Sequence, residues 1–428
     1  MEGIVFGLLL VVLFFANVPI AVTLLIATIG FILVSGDFPL EIVAQRMWGG
    51  VTSSILSAIP MYILAAILMN NMGVTERIFR FALALVGHLR GGLYYVNILA
   101  SVIFSGMSGS NTADVAGLGK IEIKAMVDAN YDRAYSAAVT AASSIIGPII
   151  PPSIILVVYA QLASVSTGRL FLAGILPGLV MAACLSLIVF VLVRHRAAAG
   201  DPLPRATAGE VMRRARDGLF ALIAPAIIVG GMTLGIVTPS EAGVLAVCYS
   251  LLLGVVYRSL SFRLLVKSLH EAALFSGAIL LIIAASGAFG WAVNIMQVPE
   301  AVGDTIQAIT DRPWLALLMI NLGLLMLGCL EAGSAALVVV APVLIYLGGL
   351  YGIDPVHLGI IAAINLTLGS MTPPVALSLF ISARIAGVPM RAAVIASLPF
   401  FLALLASLLI VTFVPAFSLA LPNWLMGS

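Results

Sequence analysis

Two stretches of this chain cannot be ordinary helix: Gly147-Pro-Ile-Ile-Pro-Pro-Ser153 and Gly369-Ser-Met-Thr-Pro-Pro374. Each lies within a longer apolar segment, 137–163 and 357–383. Proline has no N–H to close the helical bond to the carbonyl four residues earlier, and its ring collides with that carbonyl. Pro151 therefore frees the carbonyl of Gly147, and Pro152 that of Pro148; Pro373 frees Gly369, and Pro374 frees Ser370. Composition makes such breaks costly. The 428 residues are 62% hydrophobic and 9% charged, against about a quarter charged in soluble domains, which marks a polytopic membrane protein. Unwound backbone inside a bilayer survives only where it is buried in protein or lines a cavity.

A second polar interruption precedes each break. Residues around Ser105-Gly-Met-Ser-Gly-Ser-Asn-Thr112 interrupt the segment 91–119, and 328–334 interrupt 314–348. Each arm is too short to cross a bilayer, which takes about 20 helical residues, so two re-entrant hairpins are expected. The halves align at one ungapped offset of 222 residues. Gly106 then matches Gly328, Ala113 matches Ala335, Gly147 matches Gly369, and Pro151-Pro152 match Pro373-Pro374. Arg169 matches Arg391, and Leu176-Pro177 match Leu398-Pro399. Matched, interrupted apolar segments in two halves are the mark of a secondary transporter. Isolated glycines and serines in such helices more often serve close packing, but packing does not require matched breaks.

The remaining segments fill in the organisation. The apolar stretch 3–34 breaks at Asn17-Val18-Pro19 into two short helices, and without a basic leader it reads as membrane helix, not a cleaved signal. Residues 35–50 read as a loop, 51–74 as a span, 77–90 as an amphipathic interfacial helix, 120–133 as a charged loop and 170–193 as a span. After a polar connector, 194–217, the pattern restarts. Spans at 219–236 and 243–257 are joined by Thr238-Pro-Ser-Glu241, a capping box with proline at the first helical position. A span at 271–295, an interfacial segment at 299–312 and a last span at 392–417 complete the chain. Cys184, Cys248 and Cys329 show no pairing or metal spacing and read as small buried hydrophobes.

Charge orients these spans, because Lys and Arg favour cytoplasmic loops. The connector carries Arg194, Arg196, Arg205, Arg213, Arg214 and Arg216. With it inside, 17 basic residues fall on the cytoplasmic face and three, Arg46, Arg169 and Arg312, outside. Both termini then face outward, the first hairpin enters from the cytoplasm and the second from outside. The expected fold is an all-α polytopic membrane protein of two inverted repeats, 1–193 and 218–428. Each repeat holds a hairpin (91–119, 314–348) and a broken helix (137–163, 357–383).

These parts suit ion and anion binding. A sodium ion must exchange water for oxygens, which unwound carbonyls and Ser, Thr or Asn side chains supply. Opposite the breaks the hairpin tips offer Ser105, Ser108, Ser110, Asn111 and Thr112 in the first half, and Gly328, Gly333 and Ser334 in the second. Substrate is expected between the tips, at Ser108, Ser110, Asn111, Gly333 and Ser334, where half-helix N-termini direct positive dipoles at an anionic group. Asp114 and Glu331 are the charged residues nearest the tips. At the bilayer centre each would cost about 2.5–3.5 kcal/mol. For Asp114, pairing with Lys120 or Lys124 near the cytoplasmic face is the plainer alternative to a role at the site. Glu331 is expected to cap the returning helix, with ion or substrate contact as the alternative. His88, His195, His270 and His357 fall at membrane edges without a companion nucleophile or ligand, so no enzyme chemistry is expected. A non-transporting scaffold has no use for repeated unwound helices.

Ala138-Val-Thr-Ala-Ala-Ser-Ser-Ile-Ile-Gly-Pro-Ile-Ile-Pro-Pro-Ser153, Gly352-Ile-Asp-Pro-Val-His-Leu-Gly359 and Asn365-Leu-Thr-Leu-Gly-Ser-Met-Thr-Pro-Pro374 resemble the large membrane subunit of tripartite ATP-independent periplasmic (TRAP) transporters. The resemblance covers nearly the whole chain. It implies a multi-pass inner-membrane secondary transporter of a bacterium or archaeon, importing a small organic acid on a sodium gradient by an elevator movement. It implies two partners, a soluble periplasmic substrate-binding protein and a small four-helix membrane subunit, with the lipid bilayer as surroundings and neither nucleic acid nor organic cofactor. Carried over by residue, the sodium ligands would include the region from Gly147 through Ile150 to Ser153, and Gly328, Gly369, Thr372 and Val375; the tip residues Ser105, Gly106, Asn111 and Thr112 join them in two sodium sites on the reading of the residues above. Ser110-Asn-Thr112 also resembles the hairpin tip of the related divalent-anion/sodium symporters, which keeps a single-component sodium/carboxylate symporter as the alternative.

Overall fold

The structure, a computed structural model, describes residues 2–16, 18–195, 203–331 and 333–427; Asn17, Arg196 and the side chains of Ser108 and His195 lie outside the described residues. Those residues form helices and connecting turns, with no strand among them. In the first half they are α1 (Glu2–Phe15), α2 (Ile20–Ser35), α3 (Glu41–Val51), α4 (Ala58–Asn71), α5 (Val74–Val86), α6 (Gly92–Ser108), α7 (Asn111–Ala116), α8 (Leu118–Asp128), α9 (Arg133–Ser143), α10 (Ile154–Ala163) and α11 (Thr167–His195). The second half has α12 (Ala208–Thr233), α13 (Pro239–Val256), α14 (Phe262–Ile295), α15 (Val298–Gln307), α16 (Pro313–Leu330), α17 (Ser334–Leu350), α18 (Pro355–Gly369), α19 (Leu377–Ala386), α20 (Met390–Phe413) and α21 (Ala416–Met426). Five helices are long and apolar enough to cross a membrane, or up to seven if each bent pair counts as one span.

Local chemistry sets many of these ends. The N-terminus of α9 is capped by Asp132, which accepts from the Tyr135 N–H at 2.9 Å. Asp354 caps α18, accepting from the N–H groups of Val356 and His357, with Pro355 in the first turn. Thr238 and Glu241 form the expected reciprocal box at the start of α13. Both interrupted segments split where the prolines stand, and each break holds a cis bond between its two prolines.

Three stretches read as non-helical are helical. Residues 41–51 form α3, which lies close against α14: a Cβ on Gly287 would meet the Arg46 carbonyl, and one on Gly50 the Ile283 carbonyl. Residues 118–128 form α8, burying Leu118, Glu122, Ile123 and Met126 while Lys120 and Lys124 stay exposed. The polar connector is helical from Ala208, because Arg213 and Arg216 can face outward while α12 continues into apolar sequence. In α3 and α8 the apolar residues turn inward and most of the charges outward, with Glu122 of α8 the buried exception. Beyond the last expected span, α21 packs back on α11, with Arg169 donating to the Asn423 side-chain oxygen at 2.7 Å. Contrary to expectation, none of the three cysteines is fully buried: Cys184 and Cys329 are half-buried and Cys248 is exposed.

A buried amide ties each hairpin to its neighbouring broken helix. Asn97 of α6 donates to Thr140 Oγ1 at 2.7 Å and Glu122 Oε2 at 2.8 Å, and accepts from Ser143 Oγ at 2.6 Å. In the second half Asn365 of α18 donates to Asn321 of α16, and Asn321 donates to the Leu317 carbonyl at 2.9 Å. Ser143 and Asn365 are 222 residues apart, so the two clamps use matched positions with different chemistry. Such bonds are strong in a low-dielectric core, and a lost partner there is costly. Asn365→Ala is therefore expected to lower stability by about 1–3 kcal/mol, measured as thermal unfolding in detergent; an unchanged transition would show that the clamp carries no weight.

Candidate substrate and ion site

The first tip forms because α6 ends at Ser108 and Gly109 takes a left-handed conformation, φ +58°. A Cβ at Gly109 would also meet the Pro152 carbonyl, so conformation and close approach both demand glycine. Ser110 is extended and α7 begins at Asn111. The second tip turns differently: Glu331 is extended, Gly333 has φ +75° and ψ −139°, and α17 begins at Ser334. Only glycine adopts the Gly333 conformation readily.

Behind the tips the breaks dispose of their freed carbonyls unequally. Ser153 Oγ donates to the Pro148 carbonyl and accepts from the Leu156 N–H at 3.3 Å, so it serves as the cap of α10. The Gly369 carbonyl takes the Thr372 N–H at 2.9 Å, and the Ser370 carbonyl takes the Ser378 N–H at 3.0 Å. Among the described residues no backbone N–H reaches the Gly147 carbonyl. A Cβ on Gly147 would fall on Asp114 Oδ2, so the buried Asp114 carboxylate stands directly beside the first break. Neither Lys120 nor Lys124 enters an ion pair among the described residues, so the alternative pairing with Asp114 is not found. In the second half Gly369 lies against Gly328 backbone to backbone, with no room for any side chain at Gly369. The first break is buried, whereas Pro373, Pro374 and Val375 are exposed.

One side chain joins the halves. Asn111, at the first tip, donates to Ser370 Oγ at 2.6 Å in the second break and to Ser378 Oγ at 3.2 Å in the first turn of α19. Its own oxygen accepts from the Thr112 N–H at 2.9 Å. Sequence reasoning paired each tip with the break of its own half and missed Ser378. The 222-offset mates of Asn111, Ser370 and Ser378 are Gly333, Pro148 and Leu156, which cannot form a symmetric copy.

The tips and breaks meet around a cavity of about 240 Å³. Its wall includes Ser110, Asn111 and Thr112 at the start of α7, Ile154 and Ile155 at the start of α10, Gly333 and Ser334 at the start of α17, and Val375 and Leu377 at the start of α19. Four helix N-termini thus converge on one space; Ser153 caps α10 and Asn111 takes the Thr112 N–H of α7, whereas α17 and α19 carry no side-chain cap. The N-terminal N–H groups left over and the helix dipoles favour an anion there. Glu331 is the only charged residue among the described wall residues. It caps no helix by a side-chain hydrogen bond, because it ends α16 and leaves Gly333 as N-cap of α17. Ser110, Asn111, Gly333 and Ser334 thus share the cavity, while the side chain of Ser108 lies outside the described residues.

The residues expected around cations stand mostly behind this wall. Ser105 is fully buried, its hydroxyl donating to the Val102 carbonyl at 2.6 Å. Gly106 packs on Pro225, Ile150 on Gly178, and Thr372 Oγ1 donates to the Leu368 carbonyl at 3.1 Å. Val375 faces the cavity itself.

Against known proteins, residues 6–417 match the family model described as tripartite ATP-independent periplasmic transporter, DctM component. The sialic acid TRAP transporter large permease protein SiaM of Vibrio cholerae is 38% identical over 100% of this chain and 99% of its own length. The C4-dicarboxylate TRAP transporter large permease protein DctM of Pseudomonas aeruginosa is 38% identical over 86% of each chain. Among solved structures, the Alcanivorax borkumensis YdaH transporter shares the fold at 17% identity, with a TM-score of 0.59 over 89% of this chain and 87% of that one.

The glycine contact behind the site is open to test. Gly369→Ala is expected to destabilise the protein by about 1–3 kcal/mol through overpacking. Gly349→Ala, in α17 with open space around it, is expected to be neutral or stabilising by about 0.5–1 kcal/mol. Thermal unfolding of the two variants side by side decides it, and equal effects would mean that Gly369 is not a close-contact glycine.

Proposed function

The chain belongs to the DctM-component family of tripartite ATP-independent periplasmic transporters, and on that premise we propose that it imports a small organic acid coupled to sodium. It is a multi-pass inner-membrane transporter component, not an enzyme. In the proposed cycle a periplasmic binding protein delivers the substrate, a small membrane subunit braces the large one, and an elevator movement carries the loaded site across. The two halves act as inverted repeats, so that one site can face either side in turn.

The observation that carries the reading is the convergence of four helix N-termini on one cavity without a basic side chain among its described wall residues. That arrangement recognises a carboxylate by backbone dipoles. Sodium fits beside it. The Gly147 carbonyl and the Asp114 carboxylate offer hard oxygens at the first break. At the second, the carbonyls of Gly328, Gly369, Thr372 and Val375 keep lone pairs beyond those their hydrogen bonds use.

Glu331 narrows the substrate. A carboxylate beside the cavity disfavours a second substrate carboxylate and accepts from hydroxyl or ammonium groups, so the site suits a monocarboxylate bearing such donors. Glu331→Gln is then expected to strengthen competition by dicarboxylates for uptake. Unchanged competition would remove Glu331 from substrate selection.

Proteoliposomes holding both membrane subunits, with the binding protein outside, test the cycle. Uptake is expected to require an inward sodium gradient and to stop when potassium replaces sodium. Thr372→Ala and Asn111→Ala are expected to raise the sodium concentration for half-maximal uptake several-fold while the elution profile stays unchanged. An unaltered sodium response in both would overturn the site assignment. Equal uptake by the large subunit alone would instead favour the single-component symporter.

A further inference from the structure

A larger cavity, about 830 Å³, opens away from the transport site, between α5, α8 and the beginning of α12. Four guanidinium groups border it, those of Arg77, Arg80, Arg213 and Arg214, against the two carboxylates of Glu76 and Asp217. The arginines are held in different ways. Arg77 stacks on the Tyr257 ring at 3.9 Å, and the Tyr257 hydroxyl donates to the Asp217 carbonyl at 2.8 Å. Arg214 pairs with Glu210 and donates to the Arg80 carbonyl at 3.2 Å, fastening α12 to α5. Arg80 pairs with Glu76 at 2.5 Å. Arg213 has no partner among the described residues.

Arg77 is thus oriented by an aromatic ring without a carboxylate, and Arg213 is uncompensated, so the wall carries an excess of positive charge. An anion that accepts several N–H bonds, above all a phosphate, fits such a cluster. The lining also has an apolar part, from Phe79, Leu83 and Ile121. Nearby α5 exposes Leu85 and the turn after it Leu89, and α12 exposes Phe220 and Ile223 just beyond its basic turns. A phosphate-seeking rim that continues into lipid-facing hydrocarbon matches an amphiphile, not a free ion. Basic pockets between membrane helices on the cytoplasmic side hold anionic lipid headgroups, and both α5 and the connector fall on the arginine-rich face. We propose that this cavity binds the headgroup of an anionic phospholipid, with an acyl chain along the Phe79–Leu83 side. The bound lipid pins the junction between the two halves to one leaflet.

The test uses the large subunit purified with its small subunit, titrated with phosphatidylglycerol or with phosphatidylcholine of the same chains. Native mass spectrometry reads the bound lipid. Saturable binding of phosphatidylglycerol alone is expected. Arg77→Gln with Arg213→Gln should weaken it roughly thirtyfold, taking about one kcal/mol per arginine. Arg205→Gln with Arg216→Gln removes the same charge outside the cavity and should leave binding unchanged. Should the double cavity variant not fold, Arg213→Gln alone is read, with about a fivefold loss expected. Equal weakening in cavity and control variants would overturn the proposal. So would displacement of the lipid by inorganic phosphate at matched concentration, which would make the site one for free phosphate. Loss of the small subunit from the cavity variant with lipid binding intact would overturn it in favour of a protein contact.

Discussion

Everything at the centre of this protein follows from backbone carbonyls that proline leaves without their helical N–H. In a membrane interior an unsatisfied carbonyl is costly, so each one freed at the breaks must find another partner. Three do so within the chain: Pro148 through the Ser153 hydroxyl, Gly369 through the Thr372 N–H, and Ser370 through the Ser378 N–H. The Gly147 carbonyl receives no backbone N–H, and a carboxylate, Asp114, is held beside it. On the proposed reading, the two oxygens brought together in this buried place receive a cation between them.

The same constraint explains why the halves share a scaffold without sharing a site. Helix bounds follow one another at an offset of 222 residues through most of the chain, down to α9 with α18 and α10 with α19. The chemistry placed on that scaffold differs. Asp114 and Glu122 have Ala336 and Leu344 as mates, so buried acids occur beside the first break and not the second. Asn111 is matched by Gly333, so the first tip reaches across to Ser370 and Ser378 while the second only turns. The result is one cavity with two unlike flanks.

Much of this was legible because proline and glycine act locally. The positions of both breaks, both tips and the capping box at Thr238 follow from covalent geometry and need no tertiary information. What escaped was set by contacts across the chain. Residues 41–51 and 118–128 look like loops from their charges, yet they are helices that expose most of those charges and bury the apolar side, with Glu122 buried against Asn97. Ser378 carries no signal of its own, because its role depends on Asn111 arriving from 267 residues away. Glu331 looked like a helix cap because it stands just before α17, but the actual turn makes Gly333 the N-cap and leaves the carboxylate at the cavity. The Asn97 and Asn321 clamps were unreadable for the same reason, being amides in otherwise apolar helices whose partners lie on other elements.

On the proposed reading, cation and anion sites this close must affect one another. A carboxylate in the cavity and a sodium ion at a break attract through a medium of low dielectric, where Coulomb interactions are several-fold stronger than in water. Each therefore raises the other's affinity by the same factor, since coupling between binding sites is reciprocal. The Asn111 link gives the effect a mechanical component. It bonds to Ser370, whose hydroxyl also donates to the Thr367 carbonyl, and Thr367 borders the cavity. A change in backbone position at the second break, as an ion enters, is thereby transmitted to the first tip and the wall that meets the substrate. Helix N-termini attract the anion even without sodium, and on the proposed reading the Asn111 link between the first tip and the second break strengthens that attraction once sodium is bound. A site built from backbone ends, rather than from a fixed lysine or arginine, can hold its anion firmly with sodium and release it without.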